Sequence, residues 1–523
     1  MIAWIDRQLN KITMYRLTLY VLIGLVALGV VFSAVHLLPY DPIAMVLSTL
    51  VLLVACVAIN DLCAWIFRAQ PNVESAYITA LILALIITPV AFAPFSVSNF
   101  LFLIWAPLFA MASKYVLAIN KKHVFNPAAI AVAATGLILN AYASWWVGGN
   151  LPLLAFVLVG GLLIVRKIRR FDLVLPFFAG ALVSIYATQS LADPFGTLGK
   201  IVLHTPIFFF AFVMLAEPAT TPPTRALRIA YGALVGLLYA PAIHLGPIYS
   251  IPELALCVGN IFSFAVSPQG KQSLVLKEKK EMGTNLYDFA FVPAAGATAG
   301  PWMRFRPGQY MEWTLTPDRS AAAARAVKND ARGNRRYFTI ASSPTERELH
   351  LGVKFYEPSS SFKKQLLAME PGARIMGGEL TGDFTLPNDP AKKLVFIAGG
   401  IGITPFRSMV KYLSDRGEKR DVVLFYSNHT TAEISYREVF DEAARTVGLK
   451  TIYAVTGPGE KLPQGGYQGR IDEALIAKTV EDYRERTFYI SGTHAMVSAM
   501  EAALHGIGIP RAQIKTDFFP GFA

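Results

Sequence analysis

The sequence predicts a membrane all-α domain of about ten transmembrane helices, then an antiparallel β-barrel, then an α/β domain on a parallel sheet. Three observations carry that reading. Residues 1–268 hold 14 Lys/Arg and 8 Asp/Glu, about 8% charged, against 34 and 28, about 24%, in the remaining 255, and the second value is ordinary for soluble domains. Hydrophobic segments of bilayer length recur throughout the first part. The second part changes to short alternating strands, and then to strands alternating with helices. The expected domains are therefore 1–268, 269–390 and 391–523.

A crossing helix needs roughly 17–25 apolar residues. Ten segments qualify, near 15–38, 43–66, 75–96, 98–118, 126–147, 150–166, 172–191, 200–217, 226–245 and 249–266. The run from Tyr15 to Leu38 is too long for a signal-peptide core and lacks a small-residue cleavage site, so it is expected to stay as a helix. Basic residues set the orientation. Arg7, Lys11, Arg16, Arg68, Lys121, Lys122, Arg166, Lys167, Arg169, Arg170, Arg225 and Arg228 lie at the N-terminus or in even-numbered loops; Lys114 is near them and Lys200 alone is opposite. The positive-inside rule then expects an integral protein of the cell (inner) membrane with both termini, and the soluble part, in the cytoplasm.

Composition also excludes. The net charge of +12 divides evenly between the two parts, with no basic stripe interleaved with aromatics, so no nucleic-acid partner is expected. Cys56, Cys63 and Cys257 all fall in the hydrophobic part, which excludes a Cys-ligated iron–sulfur cluster from the soluble part. No metal site is expected. Haem held between paired histidines is not expected either, because His36, His123, His204 and His244 are scattered, with no two on one span.

Polar residues inside the spans are Asp61, Thr79, Lys114, Asn126, Glu217, Glu253 and Asn260, and such residues are costly in lipid. Three stretches set polar residues beside Pro or Gly at a helix end: SAYITALILALIITP (Ser75–Pro89), HVFNPAAIAV (His123–Val132) and MLAEPATTPPTRALRIAYGALVG (Met214–Gly236). Broken ends of this kind expose backbone groups that hold polar or anionic ligands. With the Ser75–Thr79 helix, Phe125–Ala129 and Glu217–Thr220 in view, residues 1–266 resemble the D subunit of Rnf electron-transport complexes and the B subunit of sodium-translocating NADH:quinone reductases. The resemblance implies a ten-helix, internally pseudo-symmetric, flavin-carrying membrane protein, with Thr79, Asn126 and Thr220 as cofactor-binding candidates. Glu217-Pro218 stands where the family usually has Asp-Pro. That family links flavin mononucleotide covalently to a Thr in a Ser/Thr-Gly-Ala-Thr motif. The nearest string here, Ala295-Gly296-Ala297-Thr298, is in the soluble part, and the loop Ala192–Thr197 lacks the motif. A non-covalent FMN or riboflavin is the form left open.

The first soluble strands are QSLVLKEKK, YDFAFVP, GQYMEWTL, RRYFTIASSP and LHLGVKFY, which read as a small antiparallel barrel completed by GGELTGDFTLP. From Lys392 the order is LVFIAGG, a helix PFRSMVKYLSDR, DVVLFYSN, a helix near Tyr436–Val447, TIYAVTG and FYISG, an open parallel sheet. Glycines after the first of these strands let backbone approach a pyrophosphate. A barrel bearing RYFTIASSP ahead of a sheet bearing GGIGITP resembles the ferredoxin–NADP⁺ reductase family over about residues 270–523.

That resemblance implies FAD and NADH or NADPH as cofactors. Arg336, a planar fork suited to diphosphate, would clamp the FAD pyrophosphate. Phe338 stands where the family usually has Tyr, keeping the stacking on the isoalloxazine and losing the phenolic hydrogen bond. Thr339 would sit at the flavin edge where hydride arrives. Ser342, Lys354, Ser360, Ser361 and Lys363 complete the expected FAD surface, and Gly399, Gly400, Gly402, Thr404, Pro405, Gly492 and Met496 the nucleotide surface. Ser491 replaces the family's Cys beside the nicotinamide. Phe522, in DFFPGFA, either covers the second flavin face or packs in the core. The candidates for the reaction itself are thus Thr339, Ser491 and Phe522. The segment Asn428–His429, with Arg437 further on, leans towards NADH over NADPH.

The combined reading is a membrane-bound NAD(P)H-dependent flavin oxidoreductase. Electrons pass from cytoplasmic NAD(P)H through FAD into the membrane domain, and on to a second flavin, a quinone or an extracytoplasmic redox protein. The alternative is a redox-driven Na⁺ or H⁺ transporter on the same path. Against it, Asp61 and Glu217 are the intramembrane carboxylates that qualify, and both lie near expected cytoplasmic ends.

Overall fold

The computed structural model describes residues 2–9, 12–67, 73–91, 97–119, 122–188, 193–267, 271–295, 305–315 and 334–519. The chain divides into two compact units, Met1–Gly270 and Lys271–Ala523.

The first unit is helical: α1 (Ile2–Leu9), α2 (Met14–Ala34), α3 (Pro42–Ile66), α4 (Val73–Ile86), α5 (Val97–Val116), α6 (Pro127–Leu139), α7 (Leu151–Ile168), α8 (Phe171–Thr188), α9 (Pro194–His204), α10 (Ile207–Phe209, running on as a π-helical turn to Met214), α11 (Arg225–Leu238) and α12 (Pro252–Val266). Two-residue pairs β1 (Ala118–Ile119) with β2 (Lys122–His123), and β3 (His244–Leu245) with β4 (Ile248–Tyr249), close turns. Each of the ten expected segments contains a helix, but among the described residues four are long and apolar enough to cross a membrane: α2, α3, α7 and α8. A fifth arises if Pro194–His204 and Ile207–Met214, bent by 64° about Pro206, count as one span.

The shortfall has local causes. Asn126 caps α6 by accepting from Ala129 N (3.0 Å) with Pro127 in the first turn, and Asn140 ends it in the left-handed region (φ +54°). α4 stops at Ile86, ahead of Pro89, after 14 residues, about 21 Å of helix. Its last carbonyls are satisfied by the chain after α6. Ser144 N and Trp145 N donate to Ile86 O (both 2.9 Å), Val147 N to Leu85 O (3.2 Å) and Trp146 Nε1 to Ala84 O (2.8 Å). A helix can therefore end in an apolar interior with no carbonyl of that turn stranded.

The helix packing repeats with an offset of five segments: α3 on α5 and α5 on α6, then α8 on α11 and α11 on α12. The α8–α11 contact is close because Gly232 and Gly236 face it. A Cβ on either would lie 2.2 Å from Leu173 O or 2.3 Å from Phe177 O. Ion pairs Arg16–Glu74 (3.3 Å), Arg166–Asp6 (2.7 Å) and Arg228–Asp172 (2.7 Å) join the helix ends that the sequence assigns to the basic side.

The second unit carries two six-stranded sheets. In chain order the strands of the first are β5 (Gln272–Gly283), β6 (Leu286–Pro293), β7 (Tyr310–Leu315), β8 (Arg335–Thr339), β9 (Leu349–Lys354) and β10 (Arg374–Thr381), with α13 (Ser361–Leu367) before β10. Their antiparallel order is β8-β7-β10-β5-β6-β9. The sheet curls rather than closing by a full ladder: just past β8, Ala341 N donates to His350 O of β9 (2.9 Å).

The other sheet contains β11 (Leu394–Gly399), β12 (Val422–Asn428), β13 (Lys450–Val455), β14 (Tyr467–Gln468), β15 (Thr487–Thr493) and β16 (Ile514–Phe519), all parallel in the order β14-β13-β12-β11-β15-β16. Helices α14 (Thr404–Arg416), α15 (Arg437–Thr446), α16 (Glu473–Thr479) and α17 (His494–Gly506) connect them. Near-continuous apolar runs such as LVFIA in β11, buried throughout, reflect cover on both faces.

Candidate functional site

Strand order reverses between β11 and β15, because the chain leaves β11 towards β12 on one side and returns to β15 on the other. Ligands of open α/β sheets bind at such a point, outside the carboxyl ends of the strands. Gly399, Gly400, Gly402, Ser491, Gly492 and Met496 gather there. Ala398 pairs with Ser491 in register. A Cβ on Gly399 would lie 2.1 Å from Met496 Sδ, and one on Gly402 would lie 2.4 Å from Ser491 O and 2.7 Å from Gly492 N. Gly400 turns with φ +53°. Thr404 and Pro405 open α14, where Thr404 Oγ1 donates to Ile401 O (3.2 Å).

The flavin candidates gather on the curled sheet. Arg336 and Phe338 share a face of β8. Phe338 packs on Phe362, ring centroids 5.8 Å apart, and the Arg336 guanidinium lies 5.4 Å over the same Phe362 ring. Phe362 escapes sequence reasoning; the one signal for it is an apolar residue just inside the helix after PSSS. Ser360 caps α13 by accepting from Lys363 N (3.3 Å), with Ser361 in the first turn. Lys363 Nζ donates to Lys354 O (2.8 Å), and Lys354 Nζ pairs with Glu433 (3.0 Å). Ser342 Oγ accepts from His350 N (3.1 Å), and its carbonyl accepts from Ser408 Oγ of α14 (2.6 Å).

Two hydroxyls test whether these surfaces suit the cofactors. Thr339 Oγ1 and Ser491 Oγ are buried with no hydrogen-bond partner in the protein. Buried polar atoms are ordinarily paired, so orphans at the end of β8 and at the strand-order reversal fit sites completed by ligand. Phe522 lies outside the described residues.

A buried brace joins the two sheets. Tyr436 OH donates to Asp288 Oδ1 (2.8 Å), and Asp288 Oδ2 meets His350 Nδ1 (2.6 Å). Burial pushes the Asp288 carboxyl up, but the hydrogen bonds from His350 and Tyr436 and the Arg407 charge outweigh it and hold the group below its ordinary value. Arg407 forks onto Glu346, donates to Ala341 O (3.2 Å) and lies 5.4 Å over the Tyr436 ring. The brace fixes the β8–β9 end of the curled sheet against α14 and α15, and so sets the candidate residues of β8 relative to those at the β11–β15 reversal.

In the first unit, Thr79 and Asn126 line one cleft bounded by α2, α4, α6, α7 and the end of the π-helical turn, with Glu217 in its wall. Thr220 reaches it indirectly, donating to Glu217 (3.3 Å). Asn260 Oδ1 accepts from Asn126 N (2.8 Å), and Asn260 Nδ2 donates to Tyr231 OH (3.0 Å). Lys114 Nζ donates to Ser75 Oγ (3.0 Å) and Thr79 Oγ1 (3.2 Å). In the sequence, Lys114, Glu217 and Asn260 are isolated polar residues. Their convergence depends on helix packing that no local pattern records.

Residues 396–502 match the family model described as "Oxidoreductase NAD-binding domain". These residues lie in the second unit, which therefore carries an oxidoreductase module with a nicotinamide-nucleotide-binding domain. The chain is 30% identical over 193 residues to the stachydrine N-demethylase reductase subunit Stc4 of Rhizobium meliloti, covering 36% of this chain and 55% of that protein. It is 25% identical over 261 residues to the flavohemoprotein of Halalkalibacterium halodurans, covering 47% and 59%. The chain thus spans somewhat over half the length of these curated relatives. Among solved structures, the flavohemoglobin of Malassezia yamatoensis with bound FAD and haem is similar at TM-score 0.43 and 18% identity, covering 69% of this chain and 97% of that one.

Proposed function

We propose that the protein is a membrane-bound NAD(P)H-dependent flavin oxidoreductase that sends electrons into its own helical unit. In this reading the soluble unit faces the cytoplasm, the ten helical segments together form the membrane domain, and the cleft at Thr79 and Asn126 holds the next carrier, a non-covalent flavin or a quinone. The observation that carries the reading is that cleft: residues from broken helix ends far apart in sequence share one wall, with Ser75, Thr79, Asn126 and Glu217 set among apolar side chains. The resemblance of residues 1–266 to the flavin-carrying membrane proteins of Rnf complexes and sodium-translocating NADH:quinone reductases supports the same assignment.

When bound, FAD supplies hydride acceptance and release of single electrons. The protein's part is positional. Arg336 and the end of β8 would hold the flavin, and Thr339 Oγ1 would hydrogen-bond its polar edge. Gly399 and Gly402 let the nucleotide backbone approach, and Ser491 would face the nicotinamide. The Asp288–Tyr436–His350 brace keeps these surfaces in register, which matters because a misplacement of about 1 Å can cost about 10²-fold in rate. NADH is the expected donor.

Redox-driven ion transport is the second reading. It is favoured by Glu253, a carboxylate 2% exposed at the start of α12, with an oxygen lacking any partner. The test is full-length protein in sealed vesicles given external NADH, with decylubiquinone in the bilayer and ferricyanide trapped inside. Reduction of either supports entry of electrons into the membrane unit, and an uncoupler-sensitive or sodium-dependent gradient selects transport. Reduction of neither, while ferricyanide added outside in a parallel sample is reduced, would overturn both readings.

A further inference from the structure

Lys114 closes the α4 side of the cleft from behind. It lies in the last turn of α5, 9% exposed, and its ammonium donates to Ser75 O (3.3 Å), Ser75 Oγ (3.0 Å) and Thr79 Oγ1 (3.2 Å). Ser75 and Thr79 line the cleft, and Thr79 in turn donates to Ser75 O (2.8 Å). The titratable groups that interact with the ammonium are the Cys56 thiol of α3 and the Glu217 carboxylate in the cleft wall. A buried lysine in an apolar bundle is costly and is retained where it meets a specific charge or ligand. In such a medium its field reaches across the cleft with little screening.

We propose that Lys114 is a positioning residue that raises the midpoint potential of the redox ligand in this cleft. The proposal rests on the reading that the cleft holds the next electron carrier. The ligand chemistry is a conjugated ring whose carbonyl oxygens gain negative charge when electrons arrive, which flavins and quinones share. Lys114, by the charge it sets behind Ser75 and Thr79, stabilises that added charge. Glu217 opposes it. Electrons delivered by FAD then settle in the membrane unit rather than returning.

The experiment is an anaerobic spectroelectrochemical titration of the full chain in lipid nanodiscs, wild type against Lys114→Gln, Lys114→Arg and Glu217→Gln, with FAD content as the folding check. For a bound flavin, Lys114→Gln should shift the second flavin wave at least tenfold in its reduction equilibrium, about 30 mV lower for a two-electron couple. Lys114→Arg should restore most of the shift, and Glu217→Gln should move the wave upwards. The opposite sign from Glu217→Gln keeps the test open even where Lys114→Gln fails to fold. If the chain holds FAD alone but reduces decylubiquinone, the supporting result is a tenfold lower kcat in Lys114→Gln at unchanged KM, which identifies the ligand as quinone. A wild-type cleft ligand whose potential, or a quinone kcat, is the same in every variant overturns the role of Lys114 alone. One flavin and no quinone reduction in the wild type overturns the cleft reading, and this inference with it.

Discussion

Substituting Gly402 by Ala tests the nucleotide surface where backbone packs directly on backbone. The added Cβ would lie 2.4 Å from Ser491 O, 2.6 Å from Ser491 C and 2.7 Å from Gly492 N. All three are backbone atoms of β15, so no flexible side chain can yield. Ordinary contact begins at 3.4 Å, so the turn after β11 and the end of β15 must separate by about 1 Å. Overpacking of this size costs about 1–3 kcal/mol, and a 1 Å error between donor and acceptor can cost about 10²-fold in rate. Stopped-flow bleaching of the FAD band by NADH is the assay, with expected slowing between about 10- and 100-fold and weaker NADH binding. Gly506→Ala is the control, since nothing lies within 4 Å of a Cβ there. It should leave the rate unchanged and stabilise by up to about 1 kcal/mol. Wild-type bleaching and NADH affinity in Gly402→Ala would refute the placement of the nucleotide at the strand-order reversal.

Three further outcomes follow from particular residues. Thr339→Val removes an orphaned buried hydroxyl, so the flavin-free protein should be as stable as wild type or up to about 1–3 kcal/mol more so, while FAD binding weakens; thermal unfolding with and without added FAD separates the two effects. Asp288→Asn removes a carboxylate held below its ordinary value by His350 and Tyr436 after its burial penalty is overcome. A depressed carboxylate adds stability above its unfolded value, about pH 3.9, and loses it as pH falls through the folded value. The variant should therefore be less stable at pH 7 by about 1.5–3 kcal/mol, read as flavin release at a lower temperature, with the gap closing below about pH 4; a gap independent of pH would contradict the brace. Asn126→Ala loses the α6 cap, worth about 0.5–2 kcal/mol, and should deplete any second flavin while leaving FAD content intact, as cofactor extraction would show.

Legibility in the sequence followed the range of the interactions. Strands β5 to β9 and β11 to β13 could be read because alternation and apolar runs are local, and the glycines of GGIGITP announce a close approach. Met496 and Ser491 meet those glycines through an adjacent parallel strand, an arrangement that strand order explains. The brace was invisible, since Tyr436 and His350 lie 148 and 62 positions from Asp288. In the first unit, hydropathy located each helical segment. It missed how far Asn126-Pro127, Asn140 and the Trp146 hydrogen bond to α4 shorten the helices, because those are capping and tertiary effects laid over uniformly apolar sequence. Broken helix ends and the family resemblance mark Thr79 and Asn126 as candidates, and both line one cleft, whereas Lys114 gains its place beside them only from the packing of α5 on α3 and α6.

The most direct measurement is the number of NADH equivalents taken up per FAD in an anaerobic titration of the full-length protein. Electron entry into the membrane unit predicts uptake beyond one NADH per FAD, with the excess lodged in a second flavin or a bound quinone recovered on extraction. An endpoint of one NADH per FAD, with the flavin fully bleached and no other carrier extracted, would contradict it.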